Sequence, residues 1–196
     1  MRPFSALYAA ALAATTANAL PEVRPVQLGS ECHNYPAFNA DTGEAGPWVL
    51  WAADNDGPVA SGAGSDVSRV SDGASARFQI SISVEPTSAK LALKCSNGTL
   101  LAYYQEWTPV TRGSDDKAFL LANNRQGGTA MQAHAHFLAD GTQQEGVFLG
   151  SGGKTTWAYK YQIGQRGRKE FRIRLLVSSD SLEEGEFKGF IRFFTR

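Results

Sequence analysis

The chain has 196 residues, with 19 Lys and Arg against 19 Asp and Glu and a formal net charge of zero. That length fits one domain with a sizeable hydrophobic core. The charge balance excludes strong global attraction to nucleic acid or to acidic membranes, so we expect no nucleic-acid partner.

Residues 1–19 have the three parts of a secretory signal peptide. Arg2 supplies a short basic region, an apolar stretch covers 4–14, and an A-x-A cleavage site ends at Ala19. The apolar stretch is shorter than the roughly 20 residues that a membrane-spanning helix needs, and no later segment comes closer. The sequence therefore predicts cleavage after Ala19 and a secreted, extracellular protein without a membrane span.

Residues 20–46 are predicted to form an N-terminal arm ahead of a β domain over residues 47–196. Cys32 in the arm and Cys95 in the β domain are the two cysteines of the chain. In the oxidising compartment that a secreted protein enters, two cysteines most simply pair with each other. We therefore expect a disulfide between them, with two reduced and buried thiols as the alternative.

Apolar side chains recur at every second position through most of the β domain, which is the period of half-buried strands. Turn-forming residue pairs separate these segments, and no stretch has comparable helical spacing. The expected fold class is all-β: a single antiparallel β-sandwich, jelly roll or barrel, which the pattern does not distinguish. The Gly- and Ser-rich segment from Asn55 to Ala74 is predicted to be a long loop. About ten strands are expected, at 47–53, 76–84, 90–95, 99–107, 117–123, 130–139, 144–149, 157–163, 171–175 and 189–195.

Asn97 begins an N-x-S/T sequon, Asn97-Gly98-Thr99, in a predicted turn between strands. The motif predicts an N-linked glycan in a secreted protein. An Asn-Gly pair also suits a type I′ hairpin turn on conformational grounds alone. Both interpretations can hold at once.

Aromatic residues are the broadest indication of a binding surface. Trp51, Tyr103, Trp107 and Trp157 are the candidates for stacking on sugars or apolar ligands, although filling the core is the default role for most aromatic residues. Glu106 lies within the aromatic run 103–107 and is the best single candidate for a catalytic carboxylate.

A glycosidase would need a second carboxylate facing Glu106 across a cleft, and Asp140 and Glu145 are the candidate partners. The alternative is that Glu106 is a surface group beside a packed aromatic ring. The spacing of these residues does not decide between the two.

His134 and His136 share one face of a predicted strand, so both imidazoles could reach one metal ion if a neighbour supplied a third ligand. The stretch 128–136, GTAMQAHAH, resembles the first half of the cupin G-x5-H-x-H motif, which in that family supplies metal ligands inside a small barrel. The chain departs from that motif at Asp140 and Gly141, where Glu is expected, and no histidine follows to complete a second motif. Because the opposite face of the strand is more apolar, we expect both histidines to face solvent, with no metal or other cofactor. A metal site and general acid–base catalysis are the alternatives.

A short Ala-rich signal followed by a Gly-rich β domain with one disulfide resembles the small secreted proteins of filamentous fungi. That resemblance implies an extracellular binding protein without catalysis, associated with a cell wall or acting as an effector. We also expect a monomer. Its partner would be an extracellular glycan, a cell wall or a small apolar ligand. The alternative is a secreted enzyme, either a carbohydrate-active hydrolase or a small-molecule cyclase or isomerase, that uses a carboxylate or histidine in an aromatic pocket. A solid core with an exposed aromatic patch would favour the binding protein.

Overall fold

The computed structural model describes residues 19–58, 63–72, 75–84, 91–113, 120–122, 129–164, 167–177 and 181–195. Within these ranges the chain is all-β, with fifteen strands and a turn of 3₁₀ helix near its start. Residues 1–18, and so nearly all of the predicted signal peptide, lie outside the described ranges. No helix in the described part has the length and apolar character needed to cross a membrane.

The 3₁₀ turn, Cys32–Asn34, lies between the first two strands. In chain order the strands are β1 (Val23–Gln27), β2 (Phe38–Asn39), β3 (Glu44–Asn55), β4 (Ser65–Asp72), β5 (Ser75–Ser83), β6 (Leu93–Ser96), β7 (Thr99–Tyr104), β8 (Glu106–Arg112), β9 (Leu120–Ala122), β10 (Thr129–Ala130), β11 (Gln132–Leu138), β12 (Phe148–Gly150), β13 (Thr156–Ile163), β14 (Lys169–Leu175) and β15 (Glu186–Phe194).

The strands pair antiparallel into one sheet that curls into a half-barrel. Their order is β1-β11-β12-β15-β13-β14-β5-β9-β8-β7-β6-β3-β2, with β4 added beside β5 and β10 beside β8. The long strand β3 pairs with β6 through its first half and with β15 through its second. The predicted all-β antiparallel fold is confirmed, whereas a single sandwich or jelly roll is not.

The core contains several large aromatic side chains. Trp48 of β3 and Trp157 and Tyr159 of β13 are among its largest side chains, and all three are buried. Their polar atoms have partners, since the Trp157 indole N–H donates to the Leu149 carbonyl at 3.0 Å and the Tyr159 hydroxyl donates to the Phe190 carbonyl at 2.8 Å. Large aromatic rings with satisfied polar atoms therefore fill the interior.

The predicted disulfide is confirmed. Cys32 is bonded to Cys95, and their Cα atoms are 5.4 Å apart. The arm is also held by packing, because its Tyr35 stacks on Trp48 with ring centroids 5.3 Å apart. Strand β1 of the arm pairs with β11. The segment 20–46 is thus tied to the sheet by a covalent bond, a ring contact and a strand pair.

The predicted loop over Asn55–Ala74 is partly wrong, because β4 lies within it and pairs with β5 along eight residues. Its sequence is polar, yet Ser65 and Ser68 are buried. The Ser68 hydroxyl donates to the buried Glu170 carboxylate at 2.5 Å. Because a buried polar side chain with a partner can replace an apolar one, the usual apolar period is missing from this strand.

The predicted strand over 99–107 is instead two strands, because the chain reverses at Gln105, where φ is +65°. The turn before β7 is the predicted Asn-Gly hairpin: Asn97 and Gly98 have φ of +50° and +71° and lie between the paired residues Ser96 and Thr99. Positive φ at both central positions is typical of a type I′ turn. Strands β6, β7 and β8 therefore form a continuous meander.

Candidate functional site

The β6–β7–β8 meander presents an aromatic surface on its outward face. Successive residues of a strand point to opposite faces, and the inward residues of all three strands belong to the buried interior. Lys94, Tyr103 and Trp107 therefore point outward. The inward set is Leu93, Cys95, Leu100, Ala102, Thr108 and Val110.

Tyr103 and Trp107 lie directly opposite each other across the β7–β8 pair. Their ring centroids are 5.3 Å apart and their planes are tilted by 58°. Tyr103 is 51% exposed and Trp107 is 38% exposed, so both rings present a large apolar area to solvent. We refer to these two residues, together with Lys94 and Glu44, as the aromatic platform.

A charged pair borders the two rings. The Lys94 ammonium lies 4.9 Å from the centroid of the Trp107 ring, within cation–π range. The same ammonium donates to both carboxylate oxygens of Glu44, at 2.8 and 3.1 Å. Hydrogen bonds from Lys94 and then from Ser96 hold the pKa of the Glu44 carboxyl below its ordinary value. The platform therefore combines two exposed rings with an ion pair whose charges cancel.

The sequence predicted two members of this platform and missed the other two. Tyr103 and Trp107 stand out in an aromatic run, whereas Lys94 and Glu44 are 50 residues apart in the sequence. They meet because β3 and β6 are neighbours, with Ala45 opposite Cys95. Predicting this contact would have required the strand register, and the register cannot be derived from composition or periodicity.

The other two predicted ligand-binding aromatics lie elsewhere. Trp157 is fully buried in the core. Trp51 is partly buried on the second half of β3 and stacks on Phe194, with centroids 3.5 Å apart and an interplanar angle of 7°. The four candidates therefore do not form one site, and only Tyr103 and Trp107 are brought together.

The predicted carboxylate pair is not assembled by any contact of the described residues. Glu106 follows the chain reversal at Gln105 and is exposed. Asp140 lies in the turn after β11, where its carboxylate accepts the Thr142 amide at 2.8 Å. Glu145 lines a groove beside β15. A hydrolase needs two carboxylates on either side of the scissile bond, and these contacts do not supply them.

The expectation that the two histidines face solvent is wrong, since His134 and His136 are both 0% exposed. The His136 ring stacks on Phe148 at 3.8 Å with an interplanar angle of 6°, and it meets Phe190 edge-on at 4.6 Å. Ala135 between them is buried as well, so β11 is covered on both faces. The alternating sequence pattern correctly predicts a strand at β11. It does not predict that the second face of this strand is also covered.

Both ring nitrogens of His136 have partners. Nδ1 lies 3.0 Å from the Gln144 Oε1 atom, and Nε2 lies 2.7 Å from the Thr155 hydroxyl. The amide nitrogen of Gln144 donates to Asp54, so its Oε1 atom faces the ring. We therefore assign the proton to Nδ1 and the role of acceptor to Nε2, which receives the Thr155 hydroxyl hydrogen.

His134 also supplies no metal site with its neighbour. Its Nδ1 lies 3.2 Å from the Gln132 carbonyl, and its buried Nε2 has no hydrogen-bond partner among the residues that the structure describes. The described residues contain no group of three or more His, Cys, Asp or Glu that could hold a metal ion. Within these ranges the cupin-like motif is therefore not matched by a cupin-like ligand set, and the two histidines act as buried polar groups of the fold.

The buried His136 makes stability depend on pH. Burial lowers the pKa of the His136 ring from its ordinary value of 6.5 to about 4, and the hydrogen bond with Gln144 only partly offsets that effect. The folded protein therefore favours the neutral ring, so this stability is complete above the ordinary pKa and is lost as pH falls toward the folded-state value. We expect the free energy of unfolding to fall by about 2 kcal/mol from this group between about pH 7.5 and about pH 5. Urea unfolding at several pH values measures it.

The control is a pair of substitutions. His136→Gln removes the titrating ring and should flatten the stability profile over this interval, whereas His33→Gln changes an exposed histidine and should leave the profile as it is. Burial also lowers the pKa of His134, so His136→Gln should remove most of the slope and His134 should account for the remainder. Equal slopes for the wild-type protein and His136→Gln would contradict the assignment.

The aromatic platform is thus the surface where predicted ligand-binding residues meet, while the histidine pair belongs to the interior. No family model matches the chain, and neither does any curated protein, so the function is to be inferred from the geometry of the site.

Proposed function

We propose that this protein is a secreted, extracellular binding protein that holds a neutral glycan on the aromatic platform and does not catalyse a reaction. The observation that carries the proposal is the pair of exposed rings, Tyr103 and Trp107, facing each other across two strands beside the Glu44–Lys94 ion pair.

The chemistry of a sugar ring matches this surface. A pyranose has a C–H face that packs on an aromatic ring and a rim of hydroxyl groups that form hydrogen bonds. Tyr103 and Trp107 supply the rings and a phenol hydroxyl, while Glu44 and Lys94 supply an acceptor and a donor next to them. Such amphipathic aromatic residues are well suited to a partner that is apolar on one side and wet on the other.

The ion pair favours a neutral glycan over an acidic one. Lys94 is already bonded to both oxygens of Glu44. An anionic sugar would have to compete with the Glu44 carboxylate for the Lys94 ammonium group. The same carboxylate would also repel it. A neutral sugar can hydrogen-bond to the pair without breaking it.

Binding without catalysis fits the described residues better than hydrolysis. The platform holds one carboxylate, Glu44, which is bonded to Lys94. Both candidate catalytic histidines are buried. Glycoside hydrolysis needs a pair of carboxylates placed about 5 to 9 Å apart, and the platform offers a surface for stacking in place of such a cleft.

Two further features support the extracellular setting. The Cys32–Cys95 disulfide is typical of chains that fold in an oxidising compartment. Asn97 is exposed at the tip of a hairpin, where an N-linked glycan can be attached without disturbing the core.

We also infer that a barrel is the finer description of the fold, because β3 pairs with both β6 and β15.

The test is the affinity of Trp107→Ala for neutral oligosaccharides. Isothermal titration calorimetry with cellohexaose, laminarihexaose and chitohexaose identifies the sugar, and oligogalacturonate serves as the acidic comparison. Truncating an aromatic residue at the centre of a binding surface typically costs about 2 kcal/mol or more, so we expect affinity for the preferred neutral sugar to fall about 30-fold. Trp107→Phe should keep part of the affinity.

Tyr161→Ala is the matched control, because Tyr161 is an aromatic residue on β13 with 47% exposure, outside the platform. This variant should bind the sugar as the wild-type protein does. The proposal fails if none of the neutral sugars binds, if oligogalacturonate binds more tightly than all of them, or if Trp107→Ala and Tyr161→Ala behave alike.

A further inference from the structure

A concave surface lies where the arm meets the end of β15, and it is separate from the platform. It is a groove of about 500 Å³, which is within the usual size of small-molecule sites. Pro36, Val147 and Phe194 contribute apolar wall, and Glu145 and Arg192 contribute one charge of each sign. The groove shares no residue with the aromatic platform.

Arg192 is held in place by packing. Its aliphatic stem lies beside Gly146, where an added Cβ would be 3.7 Å from the Arg192 Cδ atom. Its guanidinium lies 6.0 Å from the centroid of Trp51, which is itself stacked on Phe194. A guanidinium that rests on a fixed ring loses little freedom when it binds a carboxylate.

The hydrogen-bonding groups of Arg192 are left for a partner. Within the ranges that the structure describes, its guanidinium takes part in a ring contact but in no hydrogen bond or ion pair. Glu145 likewise forms no ion pair there, and it is exposed. One groove is therefore lined by two opposite charges that form no ion pair with each other in the described structure.

We propose that this groove binds a small zwitterion of the α-amino acid class with an apolar side chain. The ligand carboxylate would accept hydrogen bonds from Arg192, its ammonium group would donate to Glu145, and its side chain would contact Val147 and Phe194. A simple anion would be attracted by Arg192 but repelled by Glu145, and a simple cation would meet the reverse. Only a ligand with both charges satisfies the two groups together.

The test is an NMR titration of the full chain with L-leucine and two derivatives that each lack one charge. Leucinamide has no carboxylate, and N-acetyl-L-leucine has no ammonium group. The Arg192 Nε–H signal and the Trp51 indole signal report on binding. We expect saturable shifts with leucine and an affinity about tenfold lower for each derivative, because each loses a hydrogen bond to a charged group.

Two variants should change the preference in opposite ways. Arg192→Met should weaken leucine binding about tenfold or more, and Glu145→Gln should reverse the order so that N-acetyl-L-leucine binds as well as leucine or better. Lys154→Met, which removes an exposed cation outside the groove, and Trp107→Ala should leave leucine binding unchanged. The last variant separates this site from the platform.

The inference is overturned if leucine causes no saturable shift at either signal. It is equally overturned if N-acetyl-L-leucine binds the wild-type protein more tightly than leucine, which would indicate a site for simple anions. Unchanged leucine binding in Arg192→Met would also exclude it.

Discussion

Glu186→Ala is expected to lower the free energy of unfolding by about 3 to 5 kcal/mol, because it removes the carboxylate that pairs with the buried charge of Arg174. The two side chains are 1% and 6% exposed. The Arg174 Nε donates to one oxygen of Glu186 at 2.9 Å and its Nη2 to the other at 2.7 Å. This two-point contact is the strongest arrangement that a guanidinium and a carboxylate form.

The Arg174–Glu186 pair also stabilises the turn before β15. The Glu183 amide donates to Glu186 at 2.7 Å, and Arg174 donates to the Ser181 carbonyl at 2.7 Å. Burial by itself would raise the pKa of the Glu186 carboxyl, but the bonds from Arg174 and the Glu183 amide outweigh it, so the pKa lies below its ordinary value. The stabilisation is therefore present above the ordinary carboxyl pKa and is lost as pH falls through the lowered value.

Urea unfolding of three variants separates these effects. Glu183→Ala removes a partly exposed carboxylate with longer contacts, 3.5 Å to Lys160 and 3.7 Å to Arg172, and should cost less than about 1 kcal/mol. The double variant Arg174→Met with Glu186→Leu should cost less than Glu186→Ala alone, because no unpaired charge is left behind. Equal losses for Glu186→Ala and Glu183→Ala would contradict the prediction.

The strands that could be predicted are those whose own apolar residues alternate. β13 and β14 pair along seven residues, and their apolar residues recur at every second position, which predicts both strands. Burial does not follow that alternation throughout, because Glu170 and Arg174 of β14 are buried while Tyr161 and Ile163 of β13 are exposed. β4 was missed because its buried residues are polar: Ser68 is hydrogen-bonded to Glu170 and Ser81, and Ser65 donates to the Leu91 carbonyl. A polar strand in a buried position has the same composition as a loop, and only its hydrogen-bond partners distinguish the two.

Only two of the four residues of the aromatic platform could be predicted, for a similar reason. Tyr103 and Trp107 belong to one aromatic run, so their closeness in the sequence predicts that they are neighbours even without knowledge of the strand pairing. Glu44 and Lys94 come from two other strands, and their contact depends on which strands are neighbours and in what register. Functional residues that lie within one segment can be recognised from the sequence. Functional residues that come together only through strand pairing cannot.

Removing the disulfide with Cys32→Ala and Cys95→Ala together should lower the free energy of unfolding by about 4 kcal/mol, mostly through the unfolded state. The bond joins residues 63 positions apart. In the chain-entropy description, freeing a loop of that length gives the unfolded ensemble about 4 kcal/mol of additional conformational entropy at room temperature. Urea unfolding of the double variant and of the oxidised wild-type protein measures the difference.

The folded state should change little, because the arm keeps other contacts. β1 remains paired with β11, and Tyr35 remains stacked on Trp48, which donates its indole N–H to the Pro36 carbonyl at 2.8 Å. We therefore expect the tryptophan bands in the near-ultraviolet circular dichroism of the folded double variant to match those of the wild-type protein, while the urea dependence of unfolding becomes steeper because the unfolded chain exposes more surface. The reduced wild-type protein is the control and should lose the same stability. Changed tryptophan bands would contradict this assignment, since they would mean that the bond, and not the packing of Tyr35 on Trp48, holds the arm on the sheet.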